Sequence, residues 1–404
     1  MHKKSKRLPR RGCSFKLLLL LALFLFAVAG GFLGGLYFSE HVPDKAGQIR
    51  EMSTEAGDAV ADELQGWLDM ASLQRWWQGL AASSGSVAQD STAPIRVFFV
   101  PSAKAGASDA EQALTGLING AQERIACAFY DFELESVARA LVARHQAGIQ
   151  VLLVSDSDYS DRTGLRLCRE AGIPVIFDKR SALMHNKFCV VDGRYVWTGS
   201  TNITRNGMYE NNNNAVLFTS AELATNFSNE FTEMFHNQRF GAGSPQNTTW
   251  PTVTIADTKI ECYFAPEDGV EKQVVARLAK ARQQIAFMAF VFTSKPIAGI
   301  MEKRLKAGTR LRGVVEKRNA GSRYSVHKQL NASGADIYID GNPNTMHHKV
   351  IVVDDHLVMT GSYNFSASAE ERNDENLIMI HNPDLATTFL EEIERVIAIG
   401  TRPD

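Results

Sequence analysis

The sequence is short of thiols in any arrangement that would chelate a metal. Its five cysteines (Cys13, Cys127, Cys168, Cys189, Cys262) are an odd number and form no C-x-x-C pair. Cys127, Cys189 and Cys262 stand in apolar, strand-like runs, so they are expected as small buried hydrophobes. Positive charge is also scarce where a polyanion would need it. Of the 43 Lys and Arg, seven lie in residues 1–16 (Lys3, Lys4, Lys6, Arg7, Arg10, Arg11, Lys16), which leaves 36 against 45 Asp and Glu, a net charge of about −9. No broad basic field covers the body of the chain; this weakens nucleic-acid readings without excluding a local basic cleft.

Residues 1–16 contain no acidic side chain, and Leu17 to Phe38 contain no charge at all. Those 22 nearly uninterrupted apolar residues are long enough to span a bilayer core. The basic flank predicts a cytoplasmic N-terminus and an extracytoplasmic body. A cleaved signal peptide is the alternative, because Ala27-Val28-Ala29 resembles a small-residue cleavage site; either way the body is exported. The expected organisation is a basic tail over 1–16, a single transmembrane signal anchor over 17–38, and a helical stalk and linker over 39–94. Val60, Leu64, Trp67, Leu68 and Ala71 recur at helical spacing in that stalk.

The remainder is an internal repeat. IRVFFVPS and INGAQERIACAFYDF near residue 95 are echoed by IECYFAPE and LAKARQQIAFMAFVF near residue 260. Residues 169–214 and 331–376 align without a gap at an offset of 162. Each copy alternates β-branched runs with helical patterns, so the expected class is α/β, two pseudo-symmetric domains (95–240 and 255–404) with mostly parallel or mixed sheets.

Both copies carry one constellation. MHNKFCVVDGRYVWTGSTN supplies His185, Lys187, Asp192, Ser200 and Asn202, and MHHKVIVVDDHLVMTGSYN supplies His347, Lys349, Asp354, Ser362 and Asn364. In a strand, residues i and i+2 share a face, so His-x-Lys sets an imidazole beside an ammonium. A phosphodiester needs that pair: a group to attack or to donate a proton, and a cation to hold the non-bridging oxygens. The Gly-Ser-x-Asn turn adds short hydroxyl and amide donors. One such motif is commonly only a strand ending in a polar turn; two at identical spacing in equivalent places are not.

The paired pattern resembles the signature of the phospholipase D superfamily, over roughly residues 95 to 400. The second copy, with its tail GSYNFSASAEERNDENLIMI, is similar to bacterial endonucleases and mitochondrial cardiolipin hydrolases. The resemblance implies that both motifs meet in one cleft. One of His185 and His347 attacks phosphorus and becomes phosphorylated, with His185 the favoured nucleophile, while the other protonates the leaving oxygen. Lys187, Lys349, Asn202, Asn364, Ser200 and Ser362 then serve the phosphoryl oxygens, and Asp192 and Asp354 support the fold through turn hydrogen bonds. No metal or other cofactor is required. Family members carry a carboxylate beyond Gly-Ser that orients a catalytic imidazole; Glu375 fills that position in the second half, and Asn213 stands there in the first. Glu375 is therefore expected to raise the proton affinity of the histidine of its own half.

The anchor and the acidic body favour a phospholipid substrate at a membrane. A nuclease outside the cytoplasm is the alternative, and a cardiolipin-synthase-like phosphatidyltransferase is a third reading, disfavoured by the single span. Two complete motifs argue against a non-catalytic scaffold.

Overall fold

The computed structural model describes residues 92–102, 106 and 108–403. The expected anchor at 17–38, and the stalk as far as residue 91, lie outside the described residues. Among the described residues no helix is long and apolar enough to cross a membrane.

The first half runs β1 (Ile95–Val100), α1 (Asp109–Asn119), β2 (Arg124–Phe129), α2 (Glu135–Gln146), β3 (Gln150–Ser155), α3 (Thr163–Glu170), β4 (Val175–Phe177), β5 (Lys187–Val191), β6 (Tyr195–Gly199), β7 (Asn213–Thr219) and α4 (Ala221–Phe235). Its sheet has the order β1-β7-β6-β5-β2-β3-β4. The second half runs β8 (Thr252–Ile255), β9 (Thr258–Ala265), α5 (Val270–Leu278), β10 (Gln284–Ala289), α6 (Lys295–Lys306), β11 (Arg310–Val315), α7 (Lys317–Ala320), α8 (His327–Ala332), β12 (Asp336–Ile339), β13 (Lys349–Val353), β14 (Leu357–Gly361), α9 (Ala367–Glu371), β15 (Glu375–His381) and α10 (Pro383–Ile399). Its sheet, β12-β11-β10-β13-β14-β15-β9-β8, repeats the first with β8 added at the edge.

Both sheets are mixed, and antiparallel pairing predominates over the parallel pairing that the alternating pattern suggested. Only β2/β3 and β3/β4, and β10/β11 and β11/β12, run parallel. The reason is local: helical crossovers stop at β4 and β12, and hairpins take over. Asp192 and Gly193 both hold positive φ (52° and 58°), as do Asp354 and Asp355 (48° and 56°), the backbone that turns a strand tightly back on itself.

The motif aspartates fix those turns. Asp192 accepts from the backbone N–H groups of Gln122, Glu123 and Arg124 at 2.8–2.9 Å, and Asp354 from those of Arg282, Gln283 and Gln284 at 2.7–3.0 Å. Each carboxylate ties the β5/β6 or β13/β14 turn to the start of the neighbouring β2 or β10. Burial pushes both pKa values up, but the three N–H donors outweigh it and hold them below the usual range. Asp354→Ala is expected to cost about 1–3 kcal/mol, read as a lowered Tm, because three donors lose their acceptor at once. An unchanged Tm would contradict this anchoring role.

β5 (KFCVV) and β13 (KVIVV) are buried on both faces, and alternate residues enter different cores. Phe188, Val190, Val350 and Val352 join one central cluster shared by the two halves. Cys189 and Val191 join the outer core of the first half, and Ile351 and Val353 that of the second. Helices α4 and α10 line the shared core. Phe227 of α4 meets Phe264 of β9, and Phe389 of α10 meets Phe99 of β1, each pair edge to face at 5.1 Å. Contacts therefore cross between the halves reciprocally, as a pseudo-twofold arrangement requires. Cys127, Cys189 and Cys262 are free and buried, as their apolar surroundings in the sequence imply.

Candidate active site

Lys187 and Lys349 are the first residues of β5 and β13, and His185 and His347 precede them on the approach. Each approach segment is clamped by the other half. The N–H of His185 donates to the carbonyl of Asp374 at 3.0 Å, and the N–H of His347 donates to the carbonyl of Asn212 at 2.8 Å. These two bonds belong to parallel bridges, Met184 with Asp374 and Asn212 with Met346. The segment ahead of each histidine thus runs beside the strand start that carries the other half's Glu375 or Asn213.

That crossing overturns one expectation. Glu375 does not serve the histidine of its own half; its Oε2 lies 2.7 Å from Nδ1 of His185. His347 Nδ1 lies instead 3.0 Å from Asn213 Oδ1 and 3.1 Å from the carbonyl of Ser200. Both of these are acceptors, so His347 holds its proton on Nδ1. The serines expected at the phosphate support the same two residues. Ser362 donates to Glu375 at 2.7 Å, and Ser200 to Asn213 at 2.8 Å.

Two residues that sequence reasoning left unassigned complete the pair. Tyr130 and Phe290, at equivalent places just beyond β2 and β10, lie against the imidazoles edge to face: Tyr130 at 4.7 Å from His185 and Phe290 at 4.6 Å from His347. Each ring also receives the neighbouring ammonium, Lys187 at 4.6 Å and Lys349 at 4.9 Å. The signal for them was present in the repeat itself, which aligns ACAFYDF with AFMAFVF.

Electrostatics follow from burying this much charge in one place. Burial, reinforced by Lys187 and Lys349, holds His185 well below its ordinary pKa. His347 is lowered in the same way, by burial and then by Lys349, Lys187 and His185. Lys187 is brought down to about 7 by burial, against the pull of Glu375, Asp131 and Asp156. Lys349 is lowered well below its usual value by burial and by Lys187. Burial lifts Glu375 to about 7, against Lys187, Ser362, Asn373 and Lys349. The centre therefore lacks negative charge, which an incoming phosphate would bring.

Asn202 and Asn364 follow the Gly-Ser turns at the ends of β6 and β14, and Oδ1 of each is buried without a hydrogen-bond partner. His185, Lys187, His347, Lys349 and Glu375 therefore surround one centre; Ser200 and Ser362 support it through Asn213 and Glu375, and Asp192 and Asp354 stand at the far ends of β5 and β13.

Two α/β halves that each present a buried His–Lys pair to one shared centre define a phosphodiesterase of the phospholipase D type. The chain belongs to the phospholipase D-like family. The profile of that family, described as cardiolipin synthase, PLD-like domain, matches residues 114–235 and again 274–397, more than half of the chain. Among similar proteins, a phospholipase D of Rickettsia prowazekii is 28% identical over 161 residues, 40% of this chain and 78% of that protein. A mitochondrial cardiolipin hydrolase of Xenopus laevis is 33% identical over 118 residues, 29% of this chain and 56% of that protein. The solved phosphatidylserine synthase of Haemophilus influenzae shares the fold with a TM-score of 0.56 at 13% identity, over 76% of this chain and 86% of that one.

Proposed function

We propose that the protein is a membrane-anchored phospholipase D with its catalytic body outside the cytoplasm. It hydrolyses a phospholipid phosphodiester to phosphatidic acid and a head-group alcohol. The contact between His185 Nδ1 and Glu375 carries the mechanism. With Nδ1–H directed at the carboxylate, Nε2 of His185 keeps its lone pair for phosphorus. Attack forms the P–N bond as the P–O bond to the head group breaks, and His347, made an imidazolium by a proton taken up on Nε2 as the anionic phosphate binds, passes that proton to the departing oxygen. His347 then takes a proton from water, whose oxygen displaces the P–N bond and restores His185. Lys187, Lys349, Asn202 and Asn364 hold the non-bridging oxygens throughout.

The unequal partners suit the unequal roles. A phosphorylated His185 is a cation, and Glu375 offsets that charge. His347, held only by an amide and a carbonyl, releases its proton more readily than a carboxylate-bound imidazole would. The rate is expected to follow a bell centred near neutral pH. As pH falls through about 7, Glu375 takes up a proton and its support for a charged His185 disappears; as pH rises through about 7, Lys187 loses the charge that holds phosphate. A kcat/KM profile flat from about pH 5 to about pH 9 would contradict the assignment.

The anchor sequence, the acidic body and the lipid-acting relatives support lipid as substrate. One observation favours a nuclease: Tyr130 stacks edge to face on Tyr159 at 4.8 Å, and Arg162 lies 5.1 Å over Tyr159, a short ladder of rings and cation leading away from His185. Arg162 is, however, paired with Asp131 at 2.8 Å. Full-length protein, with chelator present and below its unfolding temperature, should release head group from vesicles of cardiolipin and phosphatidylcholine, and should leave a labelled single-stranded oligonucleotide intact. Cleavage of the oligonucleotide alone would replace the lipid reading with the nuclease.

A further inference from the structure

The two halves differ beneath the motifs in a way the reaction does not use. In the second half the buried carboxylate of Glu392, on α10, is neutralised. It lies 3.0 Å from Nε2 of His348 and 2.7 Å from both Nε and Nη2 of Arg395. At the offset of 162 residues, Glu392 corresponds to Glu230 on α4, Arg395 to Glu233, and His348 to Asn186. The first half thus keeps the buried carboxylate, but an amide replaces the imidazole and a second carboxylate replaces the guanidinium. A third, Glu267, joins them from the loop after β9 of the other half. Ligand oxygens of all three lie within 4.8 Å of one another.

No ion pair among the described residues balances this group. Glu230 and Glu233 are each only 2% exposed. Asn186 donates to Oε1 of Glu230 at 3.0 Å, but Oε2 of Glu230, both oxygens of Glu233 and Oε2 of Glu267 receive no donor from outside the group, and Glu230 and Glu233 can bond each other only by sharing a proton. Arg239 draws on Glu233 from a distance without forming an ion pair, and Asp268 and Asp374 add further negative charge nearby. Two buried carboxylates and a half-buried third, with this many free lone pairs, are costly to charge, so the group either holds protons or takes something positive among them.

We propose that Glu230, Glu233 and Glu267 bind a hard divalent cation, calcium foremost, which takes the place that Arg395 takes in the other half. The donor set is oxygen only, with no imidazole or thiolate to select zinc or copper. Oxygens about 2.4 Å from a common calcium lie at most about 4.8 Å apart, and the three ligand oxygens all lie within that distance of one another. The ion would tie α4 of the first half to the β9 loop of the second, and through Glu230 it would brace Asn186, the residue between His185 and Lys187. It stabilises the fold and takes no part in the chemistry at phosphorus.

Full-length protein in detergent, stripped with chelator and dialysed, is the material for the test. Equilibrium dialysis should find one calcium bound per chain, and saturating calcium should raise Tm by roughly 5 °C. Glu233→Arg, which rebuilds the Glu392–Arg395 pair in the first half, should bind no calcium and melt without it no lower than stripped wild type. Glu233→Gln should also lose calcium binding and the Tm shift, and it carries the test if Glu233→Arg does not fold. Failure of the wild type to bind calcium, magnesium or manganese would overturn the proposal, as would binding that survives both substitutions.

Discussion

His185→Ala is expected to abolish the covalent phosphoenzyme and to lower kcat/KM by on the order of 10,000-fold or more, since no other group near the phosphorus is positioned to replace the attacking nitrogen. His347→Ala should behave differently, and the difference separates the two roles. With a p-nitrophenyl phosphodiester the leaving group needs no proton, so the His347→Ala protein should still release one equivalent of nitrophenol in a burst. It should then stall as the phosphorylated His185 form, because the group that activates water has also gone. Acid-quench trapping followed by peptide mapping reads both outcomes. A phosphorylated His347 in the His185→Ala protein would reverse the assignment, and the absence of a burst in His347→Ala would show that protonation is not what that residue supplies.

The motif residues were legible in the sequence because their geometry is local: a His-x-Lys pair on a strand and a Gly-Ser-x-Asn turn are fixed by period and backbone over a few residues. Asp192 and Asp354 were expected to support the fold through turn hydrogen bonds; their bonds run from the turn to the starts of β2 and β10, 68 to 72 residues away in the chain. What spacing could not supply was which half serves which. The offset of 162 places Glu375 and Asn213 as equivalents, yet says nothing of the bridge that carries Glu375 across to His185. Contacts across a pseudo-twofold axis join residues about 190 apart in the chain, and no periodicity records them. Which strands of the mixed sheets pair antiparallel was hidden for a related reason. Alternating helix and strand patterns do make parallel pairs at β2-β3-β4, but the Asp-Gly turn after β5 is a hairpin signal that should have been weighed against them. Comparing the halves for charge rather than for motif would have exposed the replacement of Arg395 by Glu233.

Glu375→Gln is expected to lower kcat/KM by about 100- to 1000-fold while the fold survives, because glutamine can still accept from His185 and from Ser362 but carries no charge to offset a phosphorylated imidazole. The pH profile should change with it: the acid limb assigned to Glu375 should vanish, and the alkaline limb should remain with Lys187. A purely structural role for Glu375 would lower the rate and leave both limbs in place. The stronger test adds Asn213→Asp to Glu375→Gln, which moves the carboxylate from His185 to His347 across the pseudo-twofold. If the carboxylate selects the nucleophile by favouring its charged, phosphorylated form, part of the trapped phosphate should move to His347 in the double variant. Phosphate that stays wholly on His185 would mean that the direction from which substrate enters, and not Glu375, decides which imidazole attacks.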